Sequence, residues 1–139
     1  VATRQHMPII KVKIISQTKE LYNADCTSIT LPTSTGQITI LPDHSDLITL
    51  LDMGQVFLKL VDNETKEMLI NGGTASFANN ELTILTEDGV ASDELIKEEI
   101  DEALKNAAEH KSSDLDPAEL VQLEKQLRFE MFKKNFLQG

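Results

Sequence analysis

The stretch Gly36-Gln-Ile-Thr-Ile-Leu-Pro-Asp-His-Ser-Asp-Leu-Ile48 holds a turn glycine, a short apolar strand, a proline corner and a histidine. Gly36 follows Thr33-Ser-Thr, a turn position where a positive φ costs glycine little. Ile38 and Ile40 alternate with Gln37 and Thr39, the period of a half-buried strand. Pro42 brings no donor to a ladder, so the strand stops there or lies at an edge, and the residues after it turn out as a loop. His44 stands between Asp43 and Asp46, which raises the question of a metal or acid–base site. One His flanked by two Asp, with no second His or Cys nearby, lacks the ligand count of zinc and the partners of a catalytic triad. The segment therefore reads as an exposed polar loop, ordered by local side-chain bonds and suited to be a contact surface.

A chain of 139 residues has room for one domain with a real core, or for a small domain with a helical appendage. Its net charge of -10 argues against nucleic acid as a partner, because phosphate backbones are bound by clustered Lys and Arg in excess. No run approaches the roughly 18 consecutive apolar residues of a membrane span, so the chain is expected to be soluble and to meet a membrane only through a membrane protein. Cys26 is the single cysteine; it suits a reducing compartment and, with no His near it in sequence, reads as a half-buried strand residue and not as a nucleophile. Residues 1–6, Val-Ala-Thr-Arg-Gln-His, carry no periodicity, and His6-Met7 reads as a cloning junction before a native start at Met7.

From Pro8 to Asp88 the apolar runs are short, β-branched and bounded by turn residues, the pattern of an antiparallel sandwich or barrel of about 8–10 short strands. Ile10, Val12 and Ile14 alternate with Lys11 and Lys13. A return strand over Lys19–Tyr22 and a strand over Asp25–Leu31, closed by Pro32, are expected next. Leu47–Leu51 is nearly continuous in apolar character, as in a strand covered on both sides, and Met53-Gly54 reads as a turn. Val56, Leu58 and Leu60 share a face; Met68 and Ile70 return inward after the polar turn Asp62-Asn-Glu-Thr. Gly72-Gly73 interrupts the pattern, which points to a bulge or a close backbone approach. Asn79-Asn80 tolerates positive φ and suits a tight hairpin between Ala75–Phe77 and Leu82–Leu85.

At Ala91 the period lengthens to that of a helix. Ser92 is placed to cap it, Asp93 and Glu94 to favour its first turn, and Ile96, Ile100, Ala103, Leu104 and Ala107 to form its apolar stripe. Lys111-Ser-Ser-Asp-Leu breaks it. Asp116-Pro117-Ala118-Glu119 then opens a second helix with an N-cap Asp, Pro at the first position and Glu set to complete a capping box. Leu120, Leu123, Leu127 and Met131 line one face, and Phe129, Phe132 and Phe136 a neighbouring one. Two helices with a polar link read as an antiparallel hairpin. The first carries mostly Asp and Glu, whereas the second carries Lys125, Arg128, Lys133 and Lys134; this split suits either weak interhelix ion pairs or an acidic partner.

These motifs together resemble one family. A glycine, a polar pair, Ile-Leu-Pro, a small residue and His, followed by an apolar strand, is the pattern of the epsilon subunit of F-type ATP synthase, whose mitochondrial counterpart is called delta. Gly36, Ile40, Leu41, Pro42 and His44 match it. Thr39, Asp43 and Asp46 depart, since the family usually has glycine at the first two and proline at the third. The resemblance continues through Gly72-Gly73, the strand Glu81–Thr86 and both C-terminal helices, nearly the whole chain from Met7.

The resemblance implies two parts: a β-sandwich over residues 7–90 and a helix-turn-helix regulatory domain over residues 91–139. It implies a non-catalytic rotor subunit, without metal or cofactor. The sandwich would bind the foot of the gamma subunit and sit on the membrane c ring through Gly36, Gln37, Pro42, Asp43 and His44. The hairpin would lie folded or extend along gamma to the alpha/beta catalytic hexamer, where Lys125, Arg128, Lys133 and Lys134 meet acidic loops and ATP hydrolysis is blocked. The place implied is peripheral, at the cytoplasmic face of a bacterial inner membrane or its organellar equivalent. Many bacterial relatives hold ATP through an Ile/Leu-Asp-x-x-Arg-Ala segment. Here Ile100-Asp101-Glu-Ala-Leu104-Lys105 has Leu in place of Arg and the register Leu95-Ile96-Lys-Glu-Glu99-Ile100 lacks both, so a nucleotide site is predicted absent or weak, with Lys97, Lys105 and Arg128 as the nearest cations. The rival reading is a β-sandwich adaptor or ligand-binding module with a helical dimerisation tail. An enzyme has least support: there is no phosphate loop, and no nucleophile stands beside a base.

Overall fold

The period-two stretches become seven strands in the computed structural model, which describes residues 8–109 and 114–139. They are β1 (Ile10–Ile15), β2 (Glu20–Thr33), β3 (Gly36–Ile40), β4 (Leu47–Leu60), β5 (Thr65–Ala78), β6 (Glu81–Leu85) and β7 (Gly89–Ala91). A 3-10 turn at Ser92–Glu94 leads to α1 (Lys97–Ala108), and α2 spans Pro117–Gln138. The expected cloning remnant at 1–6 and most of the expected break at Lys111–Leu115 lie outside the described residues. The chain divides into two compact units, Val1–Ala91 and Ser92–Gly139.

In the β unit the strand order is β1-β6-β5-β4-β2-β3, and a further β1–β2 pairing closes it on itself; β7 pairs with β5. Long strands make this closure feasible. β2 pairs with β1 along Glu20–Cys26 and with β3 along Ile29–Thr33, so one 14-residue strand serves two neighbours on one edge. The ladders are antiparallel except β1–β6, which is parallel from Lys11–Glu81 to Ile15–Leu85. Inward positions of every strand supply the core: Ile10, Val12 and Ile14 from β1, Ile29 and Leu31 from β2, Val56 and Leu58 from β4, Met68 and Ile70 from β5, Leu82 and Ile84 from β6. Each such burial contributes about 1.5–3 kcal/mol, which is why the alternating pattern fixes the register.

The strand boundaries depart from the expectation at two punctuation residues. Pro32 does not close β2, and Met53-Gly54 is not a turn but lies within β4. The two departures have one cause: a Cβ on Gly54 would lie 2.9 Å from Pro32 Cβ, so the missing side chain of one strand makes room for the ring of the next. The β2–β4 register is irregular between Thr30 and Thr33, so the proline's absent N–H costs no ladder bond there. Likewise the expected strands at Lys19–Tyr22 and Asp25–Leu31 merge into the one strand β2, which starts at Glu20 and leaves Lys19 in the bend before it. The Leu47–Leu51 run is not covered on both sides: Leu51 is buried, whereas Ile48 is 81% and Leu50 70% exposed.

Gly72 and Gly73 have φ of 72° and 135°, and a side chain at Gly73 would overlap the backbone of Leu85, as the close-approach reading expects. Asn79 and Asn80, both at positive φ (52° and 60°), make the tight turn joining β5 to β6.

In the helical unit Ser92 does not cap α1. It opens the 3-10 turn, and the N-cap is Ile96, which is extended, makes no side-chain cap bond and is exposed instead of lying in the stripe. Ile100 is buried, with Ala103, Leu104 and Ala107 half-buried. α2 begins as expected, with Pro117 in its first turn and the full capping box: Glu119 N donates to Asp116 Oδ1 at 2.8 Å, and Asp116 N donates to Glu119 Oε1 at 3.2 Å. Phe129 is buried and stacks on Phe132, whereas Met131 is exposed. Asp101 of α1 faces Lys134 near the end of α2 at 3.4 Å, which makes the packed pair an antiparallel hairpin.

Candidate functional site

Among the described residues no cleft with converging reactive groups stands out, and the candidate sites are surfaces. Among the described residues no group of three or more His, Cys, Asp and Glu is placed to hold a metal. Cys26 is buried, and burial, followed by the neighbouring Asp25 carboxylate, pushes its thiol up from 9.0 to about 11, which keeps it protonated and unreactive at neutral pH.

The first surface is the loop after β3. Pro42 is half-buried, Asp43 and His44 are exposed, and Leu41 is 56% exposed. His44 N donates to Leu41 O at 3.1 Å, closing a turn in which Asp43 takes a positive φ of 67°. His44 Nδ1 lies 2.7 Å from the Ser45 carbonyl, which only accepts, so Nδ1 carries the proton. The ring meets Phe77 edge to face at 5.9 Å. Gly36 and Gln37, expected at the same contact, are exposed at the opposite end of β3. Four strand steps between Gly36 and Ile40 amount to about 13 Å, so the five residues form two spots and not one cluster.

The second surface was hidden in the sequence. On the outer face of the sheet, Leu50, Thr74, Leu85 and Ile15 follow one another across β4, β5, β6 and β1, with Ile48, Ser76, Thr83 and Lys13 in the next row. Leu85 is 50% exposed, across β5 from Ile48 and Leu50. In the second half of β5 the outward residues are small (Thr74, Ser76, Ala78), so the apolar side chains of β4 and β6 stand as walls of a shallow trough there. An exposed apolar patch of this kind is a candidate docking surface. Its sequence signal was the parity of Leu47 to Leu51: with Leu51 inward, Ile48 and Leu50 must face out.

The third surface is α2. Arg128 is exposed; Lys125, Lys133 and Lys134 are half-buried. Lys133 pairs with Glu130 at 2.7 Å and lies 4.9 Å above the Phe129 ring, while Lys134 faces Asp101. Lys133 and Lys134 therefore already answer carboxylates of the hairpin itself.

With this geometry in place, comparison with known proteins gives a family. Residues 9–92, the β unit almost from end to end, match the family described as ATP synthase, Delta/Epsilon chain, beta-sandwich domain. The chain belongs to that family. It is similar to the ATP synthase epsilon chain of Endomicrobium trichonymphae, 29% identical over 118 residues covering 85% of each chain. It is also similar to the chloroplastic ATP synthase epsilon chain of Marchantia polymorpha, 35% identical over 99 residues, which cover 71% of this chain and 73% of the relative. The fold of this delta/epsilon chain is shared with a chain in a cryo-EM structure of the Euglena gracilis mitochondrial ATP synthase, OSCP/F1/c-ring, at TM-score 0.65 and 24% identity, over 97% of this chain and 86% of that one. The match reaches past residue 92, so the two-helix unit is part of the likeness and not an unrelated appendage.

Proposed function

We propose that this delta/epsilon chain is a non-catalytic subunit of the central rotor of an F-type ATP synthase, joining the gamma shaft to the membrane c ring. The observation that carries the reading is the exposed row of Ile48, Leu50 and Leu85 on a chain of this family: a subunit that spends its life between two partners must leave apolar what they cover. That trough is the face for gamma. The loop of Pro42, Asp43 and His44 is the contact with the c ring, with Gly36 and Gln37 a second spot at the other end of β3. No described helix is long and apolar enough to cross a membrane, so membrane association comes through the ring.

The hairpin restrains ATP hydrolysis by reaching the alpha/beta hexamer with Lys125, Arg128, Lys133 and Lys134. Lys133 and Lys134 first have to leave Glu130 and Asp101, part-buried pairs that a partner of higher negative charge has to replace.

The test is co-migration. Purified gamma and this chain, mixed at micromolar concentration, should elute from a sizing column as one stoichiometric complex, and separate elution would sink the assignment. A rival adaptor with a helical dimerisation tail would run as a dimer and ignore gamma.

A further inference from the structure

The loop after β3 is not held by its own residues alone. Asp43 N donates to Asn80 Oδ1 at 2.6 Å, and Asn80 Nδ2 donates back to Asp43 Oδ1 at 2.9 Å, across 37 residues of sequence. Both residues sit at positive φ, Asp43 at 67° and Asn80 at 60°, and Asn80 O also accepts from Lys11 N at 2.9 Å. The Asn80 side chain thus stands on a backbone fixed by the β5–β6 turn and by β1, and reaches over to an exposed loop that has little burial of its own. His44 is held on the same side by Phe77, which is buried in β5.

We infer that Asn80 is a positioning residue for the 41–46 loop: its reciprocal amide–carboxylate pair with Asp43 sets the loop's shape before any partner arrives, and the turn and loop act as one docking surface. This rests on the reading of the loop as the c ring contact. The physical reason is preorganisation. A six-residue loop free to sample conformers loses that freedom on binding, and a clamp already closed in the free chain removes the loss from the association. The bond from Asn80 Nδ2 to the Asp43 carboxylate is charge-assisted; the other takes the backbone N–H of Asp43 to the neutral Asn80 Oδ1, so its removal leaves that donor to water. Asn80 escaped the sequence reading because its positive φ already accounted for it.

Charge exchange separates positioning from folding. Asn80→Asp keeps a residue that tolerates φ of 60° but sets two carboxylates face to face. Asn80→Asp with Asp43→Asn restores both bonds with the roles reversed: residue 80 accepts from the backbone N–H, and residue 43 donates its amide. Two readouts are taken on the full chain: amide hydrogen exchange over 41–46 in the free protein, and retention by detergent-solubilised c ring carrying gamma. Asn80→Asp should speed exchange over 41–46 by about tenfold and weaken retention by a similar factor, while β1–β6 keep their protection; the exchanged pair should recover both. Unchanged exchange in Asn80→Asp overturns the clamp. Faster exchange with full retention, where His44→Ala does weaken retention, overturns positioning while the ring contact stands. Full retention in both Asn80→Asp and His44→Ala means that the loop is not the ring contact, and the reading beneath the inference fails.

Discussion

Gly73 and Leu85 approach so closely that a single methyl group on Gly73 would overlap the Leu85 carbonyl. With φ at 135°, the position also lies where side-chain-bearing residues are strained. Both effects fall on the β5–β6 ladder at Thr74–Leu85, beside the trough. Gly73→Ala should destabilise the β unit by more than about 2 kcal/mol, read as a fall of roughly ten degrees or more in Tm. Gly36→Ala is the contrast, because nothing lies within 4 Å of its missing Cβ and only the backbone conformation (φ 119°) resists.

Cys26 gives the chain an alkaline weakness. Its thiol ionises near 9.0 when unfolded and at about 11 when folded, so between those values the unfolded state releases a proton that the folded state keeps. Stability contributed by the neutral thiol is therefore complete below pH 9 and falls as pH rises toward 11, by up to about 2–3 kcal/mol. Denaturant titrations of the native chain and of Cys26→Ala, run from pH 8 to 11, should converge as pH rises. A constant difference between them would refute this origin.

Ile48 and Leu50 stand almost free of the fold, so their replacement separates docking from folding. Ile48→Ser with Leu50→Ser should leave Tm within about a degree or two, because surface changes of this kind move stability by roughly half a kcal/mol. The same protein should bind gamma at least about tenfold more weakly. Equal affinity for gamma would move the shaft contact to another face.

A chain ending at Ser92 contains every strand of the β unit. It should fold, bind gamma and join rotor to shaft, yet no longer restrain hydrolysis in the reconstituted enzyme. Replacing Lys125, Arg128, Lys133 and Lys134 by Ala in the full chain should lift the restraint as well. Inhibition of the same strength by the shortened and full chains would remove the regulatory role of the helices.

Nucleotide should leave the isolated chain unmoved. A cavity of about 390 Å³ within the helical unit is lined by Lys97, Ile100, Lys134, Leu137 and Gln138, but Lys134 already faces Asp101, and α1 adds Glu98, Glu99 and Glu102. Two ammonium groups among these carboxylates offer a poor exchange for the hydration of a triphosphate. Millimolar ATP should not change Tm; a rise of several degrees would show a site.

Patterning made much of this fold legible because each rule acts locally. Alternation gave Ile10, Val12 and Ile14 inward; Asn79-Asn80 gave the turn; Asp116-Pro117 with Glu119 gave the start of α2. Where the sequence misled, a tertiary contact had taken over a local signal. Pro32 and Gly54 each read as an end of a strand, but each exists for the other, packed across two strands that run past both. The exposed row escaped for the opposite reason: Ile48 and Leu50 look like core in one dimension, and only the inward Leu51 and the register with Ser76 and Thr74 reveal their side. The Asp43–Asn80 pair spans 37 residues and no short-range pattern carries it.

The parallel β1–β6 ribbon has a mechanical meaning. Ile10 and Leu85 lie at opposite ends of two strands that run the same way, so a force drawing the two ends of the β unit apart loads the ribbon in shear. Every rung from Lys11–Glu81 to Ile15–Leu85 then resists at once, where a hairpin pulled from its open end would peel one rung at a time. Forced opening is governed by the unfolding rate, and a ribbon loaded this way has to lose its hydrogen bonds together to cross that barrier. In the position proposed for this chain, between shaft and ring, resistance to tearing matters as much as stability at rest.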